Sequence, residues 1–519
     1  MTDSECRTET QPPTKAPSTL HAHVVAPASV RRASTNVSAL AGSQIVTWSM
    51  TLLWTVVVPR ALGPHQMGLW VSVYSAASIL SVVLGLPTRD YLVRRMVAEP
   101  AGAPSLIGTV MVIRASLAPV FFGAVAAYVH FAGLSRDGST LLYLVTGATV
   151  LTFLTEPSQG VFQATEQMQF MAYSEVLSKT VTSLAGVLLV LAGFKVIGLG
   201  VCALTIAALV LMLNLVWLRP RMRIDLAVDF SRVLGLLRES AAYWSFGIFF
   251  MVYLWIDAVM LSLMAPAADV GWYGTATRLF STLMFIPVIL ATVWLPLLVR
   301  AFESGRERFR AAALAPLDLA AVLGLPVGVL TVVTARPAVD IIFGNQYHGA
   351  GDALVILGAC VPFMYVNIIF NQVLIASKRP LVWTAVMAGA AVVNPTLNYF
   401  LIRYARARWQ NGAVGSALSL LLTELIIVGM GVALVGRHVW GRASMLRLTK
   451  TGLAAAVMAV SVELTTHLSL VVSVAVGILS LLLAAAALRV LSSRELEIIK
   501  ALCMSRIDRL RSRQSHASR

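Results

Sequence analysis

LVVSVAVGILSLLLAAAALRV, residues Leu470–Val490, is apolar on every face until its penultimate residue, Arg489. A helix of about 20 apolar residues matches the hydrocarbon thickness of a bilayer. A membrane β-strand would instead alternate over about ten residues, and this stretch does not. Working outward, comparable runs follow one another almost without pause, near 37–58, 67–88, 105–131, 140–163, 171–194, 197–218, 241–264, 271–299, 312–335, 351–376, 381–402, 412–436, 446–467 and 469–491. The chain of 519 residues is 58% hydrophobic and 12% charged, with a mean hydropathy of +0.80. Soluble domains carry about 25% charged residues. The expected fold is an all-α polytopic membrane protein of about fourteen transmembrane helices.

The net charge of +16 would suggest nucleic acid in a soluble protein, but its placement points elsewhere. Arg89, Arg94 and Arg95, the run Arg219–Arg238, Arg300–Arg310, Lys378 and Arg379, and Arg437–Lys450 all fall on one side of the spans. By the positive-inside rule that side is cytoplasmic, and an even number of spans puts both termini there. Arg403, Arg406 and Arg408 break the rule, on the opposite side. The basic run Arg506–Arg513 reads as topology and attraction to the anionic inner leaflet. Tryptophans such as Trp48, Trp54, Trp70, Trp217, Trp255 and Trp294 fall toward span ends, as an interfacial belt would. Residues 1–36, rich in Ser, Thr and Pro, read as a disordered cytoplasmic tail. Cys6, Cys202, Cys360 and Cys503 form no CxxC pair, so no disulfide framework is expected.

Three anchors repeat in order. GLWVSVYSAAS from Gly68 matches GWYGTATRLFS from Gly271 at an offset of 203. ATEQ from Ala164 matches ASKR from Ala376, and GLGVCAL from Gly198 matches GAVGSAL from Gly412. The expected organisation is a parallel repeat of two pseudo-symmetric six-helix lobes, 37–218 and 241–436, joined by a basic linker at 219–240. Two extra spans at 446–491 and a basic tail at 492–519 follow. Transporters built from parallel repeats bind substrate near the midplane between the halves.

The chain also resembles the Wzx-type polysaccharide-export branch of the multidrug/oligosaccharidyl-lipid/polysaccharide (MOP) flippases, over roughly residues 37–440. The resemblance rests on PRALGPHQMGLW (Pro59–Trp70), GLPTRDYLVRR (Gly85–Arg95), FGNQYHGA (Phe343–Ala350), NPTLNYFLI (Asn394–Ile402) and GAVGSALSLLLTE (Gly412–Glu424). It implies a V-shaped, two-lobed inner-membrane transporter that moves a polyprenyl-diphosphate-linked saccharide, a cell-surface polysaccharide precursor, between leaflets. It further implies a lipid-linked oligosaccharide as ligand, and a polysaccharide polymerase and glycosyltransferases as neighbours. A cation-coupled multidrug exporter, a lipid II flippase, a glycan polymerase and an assembly scaffold are the alternatives. No Walker loop, GxSxG or HExxH occurs, so neither enzyme chemistry nor a cofactor is expected.

Ionisable residues inside spans are the sharper functional signal, since each costs about 2.5–3.5 kcal/mol at a helix centre. Arg114, Lys179 and Arg278 are candidates for a cationic cavity around a diphosphate. Glu156, Glu175, Asp257 and Glu424 are candidate charge partners or ion-coupling groups. The alternative for all seven is structural pairing between helices. By depth alone, Asp257 and Arg278 are expected to form a salt bridge, and Arg114, Glu156, Glu175 and Lys179 one cluster near the cytoplasmic mouth. Asn367, Asn371, Gln372, Asn394 and Asn398 read as interhelical hydrogen-bonding residues.

Overall fold

The computed structural model describes residues 27–85, 89–225, 230–435 and 441–490, and within these all regular structure is helical. The C-terminal tail at 492–519, with Arg506–Arg513, lies outside the described residues, as do Cys6 and Cys503. So does the expected N-terminal tail up to residue 26; its remaining residues open the first helix instead.

That helix, α1 (Pro27–Leu80), is two arms. Gly63 sits at φ 75°, ψ 166°, a conformation that glycine adopts without steric cost, and Pro64 after it has no N–H to continue the ladder. The Trp54 and Trp70 ring centroids lie 6.3 Å apart, where a straight helix would separate those positions by about 24 Å. The chain therefore folds back at Gly63. The second arm runs through a 3₁₀ turn (Ser81–Gly85) toward α2 (Arg89–Ala98). Then come α3 (Ala103–Ala132), α4 (Arg136–Ala164), α5 (Met168–Leu191) and α6 (Val196–Leu218).

The second half comprises α7 (Phe230–Met264), α8 (Ala267–Leu283), α9 (Phe285–Glu303), α10 (Arg306–Phe343), α11 (His348–Ala376), α12 (Pro380–Trp409) and α13 (Gly412–Val435). α14 (Arg442–Leu464) and α15 (Leu470–Ala487) form a closing hairpin. Among the described residues thirteen stretches are long and apolar enough to cross a membrane, and the first, Val46–Ala98, holds both arms of α1. That gives the fourteen crossings the sequence predicts. The break between α8 and α9, at Met284, lies 203 residues beyond Ser81, where the second arm of α1 gives way to the 3₁₀ turn. The repeat offset read from the anchors thus recurs in the backbone.

α7 begins at Phe230, inside the segment expected to be a linker. Its early turns are anchored, because Leu236 packs under α2 and the Tyr91 hydroxyl donates to Glu239 Oε2 at 2.6 Å. Trp244 Nε1 then donates to the Val82 carbonyl at 2.8 Å. Each of these contacts joins the first half to the second.

The largest core cluster centres on α11, with Leu357, Val361, Tyr365 and Phe370 fully or almost fully buried, and it draws in Trp54, Val58 and Met67 from α1. α14 is tied to α10 through Arg447 Nη1, which donates to Asp318 Oδ2 at 2.7 Å, while Arg447 Nε reaches the Val490 carbonyl. The rule-breaking arginines gain a structural reason. They occupy the last turns of α12, where cations complement the helix dipole. Arg406 donates to the Met264 carbonyl at 2.8 Å and lies 3.9 Å from Asp269, which also accepts the Gly412 N–H. One arginine thereby fastens the ends of α7, α8, α12 and α13 together.

Candidate functional site

The two halves meet closely around the Gly63 fold-back. Gly68 on α1 is so near α8 that a β-carbon there would lie 1.7 Å from the Ala267 carbonyl oxygen. Beside this contact, a 3₁₀ turn at Asn345–Tyr347 reaches across from the second half. In an unbroken helix the Arg60 carbonyl would accept the N–H of residue 64, but Pro64 offers none. That carbonyl instead accepts Gln346 Nε2 at 3.0 Å, and the Tyr347 hydroxyl donates to the Pro59 carbonyl at 2.7 Å. Trp272 Nε1 braces the turn by donating to the Gln346 carbonyl. The halves are therefore sealed at the Gly63 end by backbone contact and by side-chain donors on backbone acceptors.

Immediately inward of the seal lies Arg278, half-buried on α8. Its guanidinium stacks over the Trp54 ring at 4.1 Å from the centroid. It has no carboxylate partner and donates no hydrogen bond among the described residues. The expected Asp257–Arg278 salt bridge does not form. Asp257 Oδ2 accepts the Tyr273 hydroxyl at 2.9 Å, and Oδ1 accepts Asn398 Nδ2 at 2.6 Å. The reason is azimuth rather than depth. Tyr273 points from α8 to α7, and Arg278, five residues later, is turned about 140° around the same helix at 100° per residue. It faces α1 instead.

Asp257 belongs to a buried polar layer in the second half. Asn398 Nδ2 also meets Asn394 Oδ1 at 2.8 Å. One turn before Asp257 on α7, the Tyr253 hydroxyl donates to Glu424 Oε1, and Asn367 Nδ2 donates to Glu424 Oε2 at 2.5 Å. Five helices converge on two carboxylates, each held by a tyrosine and an asparagine. Asn367, Asn394 and Asn398 thus bond across or along helices, whereas Asn371 and Gln372 make no described side-chain hydrogen bond. No group of three or more His, Cys, Asp or Glu side chains arranged to hold a metal ion occurs among the described residues. Cys202 and Cys360 are buried free thiols.

In the first half, Arg114 Nη1 pairs with Glu156 Oε2 at 2.9 Å and also reaches the Phe153 carbonyl at 2.5 Å. Arg114 is 1% exposed, so its guanidinium is enclosed with its carboxylate partner. Glu175 and Lys179 do not join it. Both lie on an exposed face of α5, and neither pairs with the other despite their i,i+4 spacing. Again depth was matched and azimuth was not. The expected four-charge cluster is a buried ion pair with two separate surface charges.

The sequence missed the aromatic character of this interface. Trp54, Trp70 and Trp255, assigned to an interfacial belt, instead line the boundary between the halves together with Tyr74. Trp70 and Tyr74 stack at 6.2 Å, and Tyr74 meets Trp255 edge-on at 5.3 Å. The one-turn spacing of Trp70 and Tyr74 on a span was the available signal.

The sequence model of the polysaccharide biosynthesis protein family matches residues 33–302, and that of the MatE family residues 246–400. No curated protein sequence matches the chain. Among solved structures, the lipid II flippase MurJ in an inward closed conformation superposes with a TM-score of 0.71 at 13% identity, covering 87% of this chain and 98% of that one. An inward-facing multidrug resistance MATE family transporter of the MOP superfamily gives 0.63 at 14% identity, over 75% of this chain and 98% of the other. A Vibrio cholerae MATE transporter gives 0.53 at 12% identity, over 78% and 97%. With the family match spanning more than half of the sequence, the chain belongs to the polysaccharide biosynthesis protein family, and its fold is that of the MurJ and MATE structures.

Proposed function

We propose that this transporter flips a polyprenyl-diphosphate-linked saccharide from the inner to the outer leaflet of the plasma membrane. Both termini are cytoplasmic in this reading, and the Gly63 end faces outward. The observation that carries it is the Arg278 guanidinium, set between the halves inward of the seal with no carboxylate to neutralise it. An uncompensated cation in a low-dielectric site attracts an anion, and a guanidinium matches phosphate oxygens with parallel N–H donors. The diphosphate would dock there from the cytoplasmic side, and parting of the seal would release it outward. A ligand shifts such an equilibrium only through different affinity for the two states, and the seal gives Arg278 different surroundings in each. Asp257 and Glu424 would bind the coupling cation in the second half. The protein is no enzyme in this reading, and it hands its cargo to a polysaccharide polymerase supplied by glycosyltransferases.

The test is a liposome assay with a fluorescent short-chain polyprenyl-diphosphate oligosaccharide. Arg278→Gln should insert normally and lose at least about tenfold in flipping rate, the effect of about 1.4 kcal/mol. Lys179→Gln should keep the wild-type rate. Full activity in Arg278→Gln would sink the reading. The second reading, a cation-coupled multidrug exporter, is favoured by the two buried carboxylates alone. Gradient-driven efflux of a cationic dye, with no flipping of the glycolipid, would select it.

A further inference from the structure

Arg278 stands at one end of a file of aromatic rings that crosses from the first half to the second. Trp54 lies under the guanidinium, Trp70 is 6.3 Å from Trp54, Tyr74 is 6.2 Å from Trp70, and Trp255 is 5.3 Å from Tyr74. Tyr74 is six residues from Gly68 and Arg278 seven from Gly271, so these two sit roughly 9–11 Å inward of the seal at 1.5 Å per residue, with Trp70 nearer to it.

Trp54 belongs to the core and Trp70 packs against it, but two features set the Tyr74 end of the file apart from core packing. Tyr74 is 44% exposed although it lies on a membrane span between two halves of the protein. In addition, the indole N–H groups of Trp54, Trp70 and Trp255 and the Tyr74 hydroxyl make no hydrogen bond among the described residues. Trp244 and Trp272, at the ends of the bundle, both donate to backbone carbonyls. None of these polar atoms is sealed away from solvent, so all four remain open to a ligand that brings its own acceptors.

We infer that Trp70, Tyr74 and Trp255, with Trp54 backing the Arg278 guanidinium, form a saccharide-stacking subsite that recognises the first sugars attached to the phosphate held by Arg278. A pyranose ring presents an apolar face of C–H groups, whose slight positive charge suits the negative face of an aromatic ring. It also carries equatorial hydroxyls at its edge, which accept from indole N–H and phenol O–H donors. Rings on both halves would contact the same glycan, so the glycan would be gripped when the halves are arranged as here and released on one side when they part. A cationic drug would meet the repulsion of Arg278, and a bare prenyl chain would leave the four polar groups empty. The inference rests on the proposed function for its phosphate anchor but adds the sugar as the group that is read.

The full chain in lipid nanodiscs is titrated with farnesyl diphosphate and with the same diphosphate carrying a disaccharide. In the wild type the disaccharide should tighten binding by about tenfold. Tyr74→Leu and Trp255→Leu should abolish that gain while leaving the affinity for farnesyl diphosphate unchanged, which also shows that the variants are folded. Tyr74→Phe and Trp255→Phe, which keep the ring faces, should retain most of the gain. Arg278→Gln should weaken both ligands together. Equal binding of the two ligands to the wild type, or a sugar-dependent gain that survives both leucine variants, would overturn the subsite and leave the phosphate anchor standing. Failure of farnesyl diphosphate to bind at all would overturn the anchor itself.

Discussion

A β-carbon on Gly271 would lie 2.0 Å from the Pro64 carbonyl oxygen, so the backbones of α8 and α1 touch where the halves meet. Overpacking costs about 1–3 kcal/mol, and a bias of that size moves a two-state equilibrium by about 5–150-fold. Gly271→Val should therefore part the halves at the Gly63 end. In a background lacking the native cysteines, a Tyr74→Cys site should become at least about fivefold more reactive to an impermeant maleimide added from that side. Unchanged labelling would show that the contact is not a seal.

The Arg114–Glu156 pair predicts a stability phenotype. Removing one partner of a buried ion pair costs about 3–5 kcal/mol, whereas replacing both with apolar residues is often neutral. Glu156 is 33% exposed, so water screens part of the loss and the low end of that range or less is expected. Arg114→Gln should lower the unfolding temperature in detergent, and Arg114→Met combined with Glu156→Leu should recover most of it.

The Asp257 site separates folding from coupling. Asp257→Asn keeps the shape and the Tyr273 bond, so the protein should remain folded while transport loses its response to an imposed sodium or proton gradient. Tyr273→Phe leaves one oxygen of a buried carboxylate short of a donor and should destabilise by about 1–3 kcal/mol. Gradient-dependent transport that persists in Asp257→Asn would remove this carboxylate from coupling.

Orientation is checked independently. On the proposed topology, cysteines placed by Asp137→Cys and His348→Cys are labelled by an impermeant reagent from outside intact cells, and tags at Ser4 and Ser518 are not. Opposite-side labelling of positions 137 and 348 would break the parallel repeat.

Depth was legible in the sequence and direction was not. Apolar run lengths gave the number of crossings, while the helix breaks at Ser81 and Met284 carried no signal that the sequence reading used. Residue counts also placed Asp257 and Arg278 at matching depth. Which way each side chain turns depends on azimuth, and an error of a few residues in a helix boundary rotates that by most of a turn. Hence Asp257 accepts hydrogen bonds from Tyr273 and Asn398 instead of pairing with Arg278, and the α5 charges lie apart from Arg114. Trp54 was misread for a related reason. A tryptophan near a span end suits a lipid headgroup and a lobe boundary equally well until the neighbouring span is in place.

The carbonyls of Pro59 and Arg60, capped by Tyr347 and Gln346, bear on the reversibility of the cycle. Both acceptors belong to the main chain beside a fold-back, at a level where water can reach them once the halves separate. Opening then exchanges two protein donors for two solvent donors and strands no polar atom in an apolar medium. The enthalpy of breaking the clasp is largely returned by hydration, so the resistance to opening resides in the fitted glycine surfaces. In the proposed cycle such a clasp would reclose without a chemical energy source of its own, and a gradient or a bound anion would set its direction.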